Sequence, residues 1–147
     1  MPDTTTPFSV RLDDRTYEEL QDHAKRSEVN PSRLVNRYVK EGLRMDAHPA
    51  ITFRTTSLGR RATVLAARPR LQVIDVIGTW RAEGQDIAAT ARYLGLSEDE
   101  VQAVLRYYAD HKDEVDRDLK AHLHAQENYK RVLETRETRS RRRAAKP

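Results

Sequence analysis

Two polar side chains one residue apart, Ser9 and Arg11, alternate with Phe8, Val10 and Leu12. A guanidinium can donate two parallel hydrogen bonds to guanine, a contact that discriminates against other bases by about 1 to 3 kcal/mol, and the shorter serine hydroxyl can donate or accept at several base edges. The same alternation also fits a plain half-buried strand whose polar side is only solvated. Two basic stretches add to this. Between Ala47 and Ile74 there is no acid, but there are Arg54, Arg60, Arg61, Arg68 and Arg70, which fit either ordinary surface or a patch facing phosphates or a partner. From Arg136 to Lys146 six basic residues face one acid, Glu137.

Signals for catalysis are missing. There is no cysteine, which excludes disulfides, thiolate metal sites and cysteine nucleophiles together. His23, His48, His111, His122 and His124 form no i, i+4 pair, and His122 and His124 point to different faces of a helix. No P-loop and no Gly-x-Ser-x-Gly occurs, and the acids are scattered along helix surfaces. The expectation is a non-enzyme with no catalytic residue, no cofactor and no metal.

The elements that position Ser9 and Arg11 follow from periodicity. Phe8-Ser9-Val10-Arg11-Leu12 repeats every two residues, so its apolar members share one face of a strand too short to stand alone; it must pair with something. Asp13 and Asp14 then favour a helix N-terminus, and Tyr17, Leu20 and Ala24 recur at helical spacing to about Ser27. Asn30-Pro31 supplies a cap and a first-turn proline, and Leu34, Val35, Tyr38, Val39 and Leu43 line one stripe of a second helix. Gly42, on or near that stripe, would let another backbone approach closely.

His48-Pro49 breaks the pattern, which divides the chain into residues 1–46, 50–119 and 120–147. Residues 51–54 and 62–65 suggest two short strands around Ser57-Leu58-Gly59. Val73, Val76, Ile77 and Trp80 predict a helix ending near Gly84; Ile87, Ala91 and Leu94 predict another that stops at Gly95. Ser97-Glu98-Asp99-Glu100 is a capping box, and Val101, Val104, Leu105 and Tyr108 continue the apolar face beyond it. The outline is a helix-turn-helix, but three carboxylates open its second helix and would repel phosphates, so it reads as a packing or partner module. From Asp113 a long polar helix carries a sparse stripe of Val115, Leu119, Leu123, Val132 and Leu133, and its arginine-rich end is expected to be disordered when free.

Of the 147 residues, 37% are hydrophobic and 34% charged, with a net charge of +4. Small units of this composition bury little core, so oligomerisation is expected. No apolar run approaches a membrane span and no signal peptide is recognisable, so a soluble cytoplasmic protein with no membrane partner is expected.

Residues 6–45 resemble the ribbon-helix-helix family, the group of Arc, MetJ and CopG repressors. The resemblance rests on Phe8-Ser9-Val10-Arg11-Leu12, the tyrosine and leucine of Tyr17-Glu18-Glu19-Leu20, the turn Val29-Asn30-Pro31-Ser32, and Leu34-Val35 leading to Glu41-Gly42-Leu43. It implies a homodimer in which two strands pair antiparallel over a four-helix core. Ser9 and Arg11 would then enter the major groove of duplex DNA, while the N–H groups near Asn30 and Ser32 hold a phosphate. Pro7 departs from the pattern, because it stands where a further polar reader would project.

Residues 51–119 resemble the domain of unknown function four-three-three, found in antitoxins of bacterial toxin-antitoxin pairs. The carrying residues are Gly59-Arg60-Arg61-Ala62, the stretch from Val73 to Val76, the turn from Ala88-Ala89 to Leu96, and Val101-Gln102-Ala103-Val104-Leu105-Arg106-Tyr107-Tyr108-Ala109 with Glu114-Val115-Asp116 behind it. This resemblance implies an antitoxin that represses its own operon and binds a toxin, such as a PIN-like ribonuclease, through its C-terminal part. Leu119, Leu123, Val132 and Leu133 would be buried on the toxin, and Arg141, Arg142 and Arg143 would enter its acidic cleft, while the basic end by itself also fits a solvated or non-specific nucleic-acid tail. Together the two resemblances imply a mainly α fold: a dimeric ribbon-helix-helix, a small helical domain and a long C-terminal helix. They also imply a bacterial, nucleoid-associated repressor, with higher oligomers on DNA. Two alternatives remain: a stand-alone regulator or plasmid-maintenance protein with the same ribbon but no toxin, and a dimeric protein-binding scaffold.

Overall fold

The computed structural model describes residues 4–146, which form two compact units, one through Leu43 and one from Arg44 onward. The fold is mainly helical, with six helices and one three-stranded antiparallel sheet among the described residues.

The first unit is a helix pair. Helix α1 (Asp14–Ser27) begins where Asp13 accepts from the Thr16 N–H at 2.9 Å and from its hydroxyl at 2.7 Å. It ends where Glu28 turns left-handed (φ 54°), which lets Val29 N–H close back on the Ala24 carbonyl at 3.0 Å. Helix α2 (Pro31–Ala47) starts on Asn30, whose side chain accepts from Ser32 N–H at 2.8 Å. The only apolar residues buried in this unit are Ala24 and Leu34, among the described residues. Two such side chains supply only about 2 to 4 kcal/mol of burial, far short of the entropy of ordering more than thirty residues.

The strand expected over residues 8–12 is not formed within the single chain. A strand exists through its ladder, and this segment has no edge beside it. Its apolar positions are instead open, with Phe8 89% and Val10 59% exposed. The close backbone approach expected at Gly42 is also absent from the single chain, since an added Cβ there would meet nothing within 4 Å.

The second unit is a three-stranded sheet covered by helices, so the small helical domain expected here carries one strand more than the two read from the sequence. Strands β1 (Ile51–Thr55) and β2 (Arg61–Leu65) pair from Ile51↔Leu65 to Thr55↔Arg61 around the expected turn, where Gly59 takes φ +75°. Strand β3 (Arg68–Gln72) was not expected. Its proline sits on an edge strand where a missing N–H is tolerated, and its pairing jumps from Leu65↔Arg68 to Val64↔Gln72. Helices α3 (Val73–Ala82), α4 (Ile87–Leu94) and α5 (Glu98–Asp110) follow at the expected places. Gly95 caps α4 in the left-handed region (φ 67°), and the capping box at Ser97 is made in both directions, with Glu100 N–H to Ser97 Oγ at 3.1 Å and Ser97 N–H to Glu100 Oε1 at 3.3 Å.

The core gathers Ile51 and Leu65 from the sheet with Val76, Ile77, Val101 and Val104 from the helices. Tyr107 is fully buried as well, although the apolar face read from the sequence held Tyr108 and not Tyr107; its hydroxyl accepts from Arg44 at 3.2 Å, and Arg44 also pairs with Glu114 at 2.6 Å. A parallel cluster joins Arg81, Tyr108 and Asp116, with Tyr108 donating to Asp116 at 2.7 Å. Helix α6 (Lys112–Ala144) runs for 33 residues, about 50 Å at 1.5 Å per residue. Beyond Leu119 none of its described residues is buried. The end expected to be disordered is helical to Ala144. Residues of high helix propensity and Glu-before-Arg pairs at i, i+4, such as Glu127 with Arg131 and Glu137 with Arg141, favour that outcome.

His111 joins α5 to α6 with its ring 4.6 Å from that of Tyr107. Burial, and then the Arg44 charge, hold its pKa below the ordinary histidine value, against the opposing pull of Glu114 and Asp110. The folded state therefore resists a proton that the unfolded chain accepts. Stability is retained above about pH 6.5 and falls as pH drops below it, until the folded ring also protonates. Urea unfolding of wild type and His111→Gln between pH 7.5 and 5.5 will show a shallower loss in the variant; equal slopes would rule this coupling out.

Candidate nucleic-acid interface

Ser9 and Arg11 are exposed, and neither makes a hydrogen bond or ion pair among the described residues. They precede Asp13, whose capping bonds fix where the chain enters α1. Beside them lies an open, mainly apolar hollow of ≈ 700 Å³, lined by Val10 and Leu12 from the segment, Leu20 from α1, and Val35, Tyr38 and Val39 from α2. The helical stripe read from the sequence is thus only partly used. Leu34 is buried, while Tyr38 is 44%, Val39 55% and Leu43 66% exposed. Sequence alone could not separate these, because a residue facing a second chain and one facing its own core obey the same spacing. Glu41 is buried on α2 near Arg37, their closest approach being 3.9 Å, and helical periodicity gave no sign of it.

At the start of α2 the Asn30 side chain already occupies the Ser32 N–H, and the Asn30 carbonyl accepts from Leu34 at 3.1 Å. Pro31 has no N–H. A phosphate arriving there would meet the Arg33 N–H first and would have to share Ser32 with Asn30.

In the second unit the five arginines have different tasks. Arg54 donates from Nε to the Pro69 carbonyl at 2.6 Å, Arg61 to the Thr55 hydroxyl at 3.2 Å, and Arg68 to Glu100 at 3.3 Å. Arg60 and Arg70 are exposed, and their guanidinium groups have no such partner among the described residues. Glu98 and Asp99 are exposed at the start of α5. The Ser97 N–H, together with Arg68, holds the Glu100 carboxyl below the usual carboxylate range, so this helix start stays negative.

On α6, Leu119 is 5% exposed and belongs to the unit's own core, so it cannot serve as a surface anchor. Leu123, Val132 and Leu133 are 51%, 50% and 41% exposed, and Arg141, Arg142 and Arg143 lie in the last turn. Among the described residues no cluster of His, Asp and Glu could hold a metal ion, and no helix is long and apolar enough to cross a membrane. The chain matches no family model, no curated protein and no solved structure.

Proposed function

We propose that the chain is a homodimeric, sequence-specific DNA-binding repressor that pairs residues 8–12 of two copies into a ribbon and presents Ser9 and Arg11 to the major groove. The observation that carries this reading is the first unit's unmet apolar surface. Phe8, Val10, Leu12, Tyr38, Val39 and Leu43 are all more than a third exposed around a unit with two buried apolar residues. A second copy closes that deficit at once, because it brings the strand edge that the segment lacks and the apolar side that the hollow lacks. Once the apolar side is covered, Ser9 and Arg11 point the other way by the period of a strand, and a two-stranded ribbon fits the major groove. Asn30, Ser32 and the Arg33 N–H then fix register on a phosphate without reading sequence.

A toxin-binding role is supported by the exposed stripe of Leu123, Val132 and Leu133 on a helix that leaves its own core behind. An apolar groove on a toxin would bury that stripe, and Arg141, Arg142 and Arg143 would meet acidic side chains, making the protein the antitoxin of a pair and a regulator of its own operon. On this reading it works in the bacterial cytoplasm at the nucleoid. Mobility shifts on the DNA upstream of the gene test the repressor, and co-purification with the neighbouring gene's product tests the toxin partner. A dimer that shifts no duplex would leave only a scaffold, whereas duplex binding with no co-purifying protein would leave a stand-alone regulator.

A further inference from the structure

The acid-free stretch of arginines in the second unit has no part in the ribbon, and its geometry separates engaged charges from idle ones. The jump in β3 pairing leaves residues 69–71 opposite no residue of β2, and Arg54 reaches across to the Pro69 carbonyl in that bulge. Arg54 therefore lies beside the stretch that carries Arg70, two like charges with no acid between them in sequence. Just beyond Arg54 the β1–β2 turn is closed by Thr56 N–H to the Arg60 carbonyl at 2.7 Å and Gly59 N–H to the Thr56 carbonyl at 2.9 Å. The Thr56 hydroxyl adds a bond from Arg60 N–H at 3.2 Å. This fixed turn holds Leu58 85% exposed, more than any other large hydrophobic side chain described in the unit, with Arg60 two residues on.

Leu58 and Arg60 line one hollow with Arg54 and Arg61 and, from α6, with Asp118 and His122, so arginines outnumber the single acid there. A lone apolar tip in such surroundings is a poor centre for a protein interface, which needs a contiguous apolar core. It fits duplex DNA better. Minor-groove contacts combine one apolar wedge with arginines drawn to the negative potential of the groove and its phosphates. We propose that the β1–β2 hairpin, together with the β3 bulge beside it, is a second, sequence-independent DNA contact, with Leu58 of the turn entering the minor groove and Arg60 of the hairpin and Arg70 of the bulge meeting flanking phosphates.

The test is a salt titration of duplex binding by the full-length chain, on the upstream DNA and on an unrelated duplex of the same length. In Arg60→Gln/Arg70→Gln the slope of log affinity against log salt should fall by about 3.6 for a dimer that loses four arginines, roughly 0.9 for each phosphate that is no longer neutralised, on both duplexes alike. Arg60→Lys with Arg70→Lys should restore the slope, and Leu58→Ser should weaken both duplexes about 5- to 10-fold with the slope intact. Unchanged circular dichroism accompanies each variant. The proposal is overturned if the double variant keeps the wild-type slope, if its binding to single-stranded DNA weakens as much as its binding to duplex, or if the wild type binds no duplex. Failure of the ribbon reading looks different: Arg11→Ala would leave the preference for upstream DNA intact while the hairpin variants still lowered the slope.

Discussion

Val10→Asp will convert the protein from a dimer to a monomer. In the single chain Val10 is 59% exposed, and an acid at such a position costs little, within about half a kcal/mol for an ordinary surface change. In the ribbon dimer the same side chain lies on the covered face with its symmetry mate nearby, so two like carboxylates would be taken out of water without a partner. Each buried unpaired ion costs several kcal/mol, and at 1.4 kcal/mol per tenfold the dissociation constant should rise at least about a thousandfold. Sedimentation at micromolar concentration reads the change of mass. Circular dichroism should also lose helix, because α1 and α2 bury only Ala24 and Leu34 as apolar core without the second copy. Ser9→Asp is the control: its carboxylate points to solvent, so the dimer should persist while DNA binding falls by charge repulsion. A Val10→Asp protein that sediments as the wild-type dimer would remove the ribbon altogether.

What the sequence made legible divides along the same line. Features decided by neighbours three or four residues away were readable: the helix start at Asp13 and Asp14, the Asn30-Pro31 start, the Gly95 stop and the Ser97-to-Glu100 box are all made as their residue types require. Features decided by distant partners were not. Strand β3 carries Arg68-Pro69-Arg70 and no alternation, and it exists because β2 offers an edge and Arg54 supplies a donor to the bulge. The spacing that put Tyr108 on the apolar face left Tyr107 off it, yet Tyr107 is the more deeply buried, and Arg44, 63 residues away, satisfies its hydroxyl. Leu119 and Leu123 look alike as members of one stripe, and only the packing of α3 against α6 separates the buried one from the exposed one. For the candidate site the missing partner is another molecule. The type and spacing of Ser9 and Arg11 were visible, but what holds them in place is supplied by neither the local sequence nor the single chain.

Arg11→Ala will erase the preference for one DNA sequence while leaving the dimer intact. Arg11 is exposed and makes no interaction that the fold needs, so its removal should not change the thermal midpoint. On DNA its guanidinium is the one side chain of the segment able to donate twice to a guanine edge, at about 1 to 3 kcal/mol of discrimination per guanine. A symmetric dimer presents two copies, so the difference in affinity between upstream DNA and an unrelated duplex should shrink by about 2 to 6 kcal/mol, or roughly 30-fold to more than 10⁴-fold. Affinity for the unrelated duplex should fall far less, because it depends on charge and each phosphate left unneutralised changes the salt slope by only about 0.9. Arg11→Lys separates the roles further. Lysine restores the charge but cannot reproduce the planar fork, so it should recover nonspecific binding and leave most of the discrimination missing. If Arg11→Ala weakens both duplexes by the same factor, Arg11 meets only phosphate, and sequence must be read by Ser9 or by the shape of the DNA.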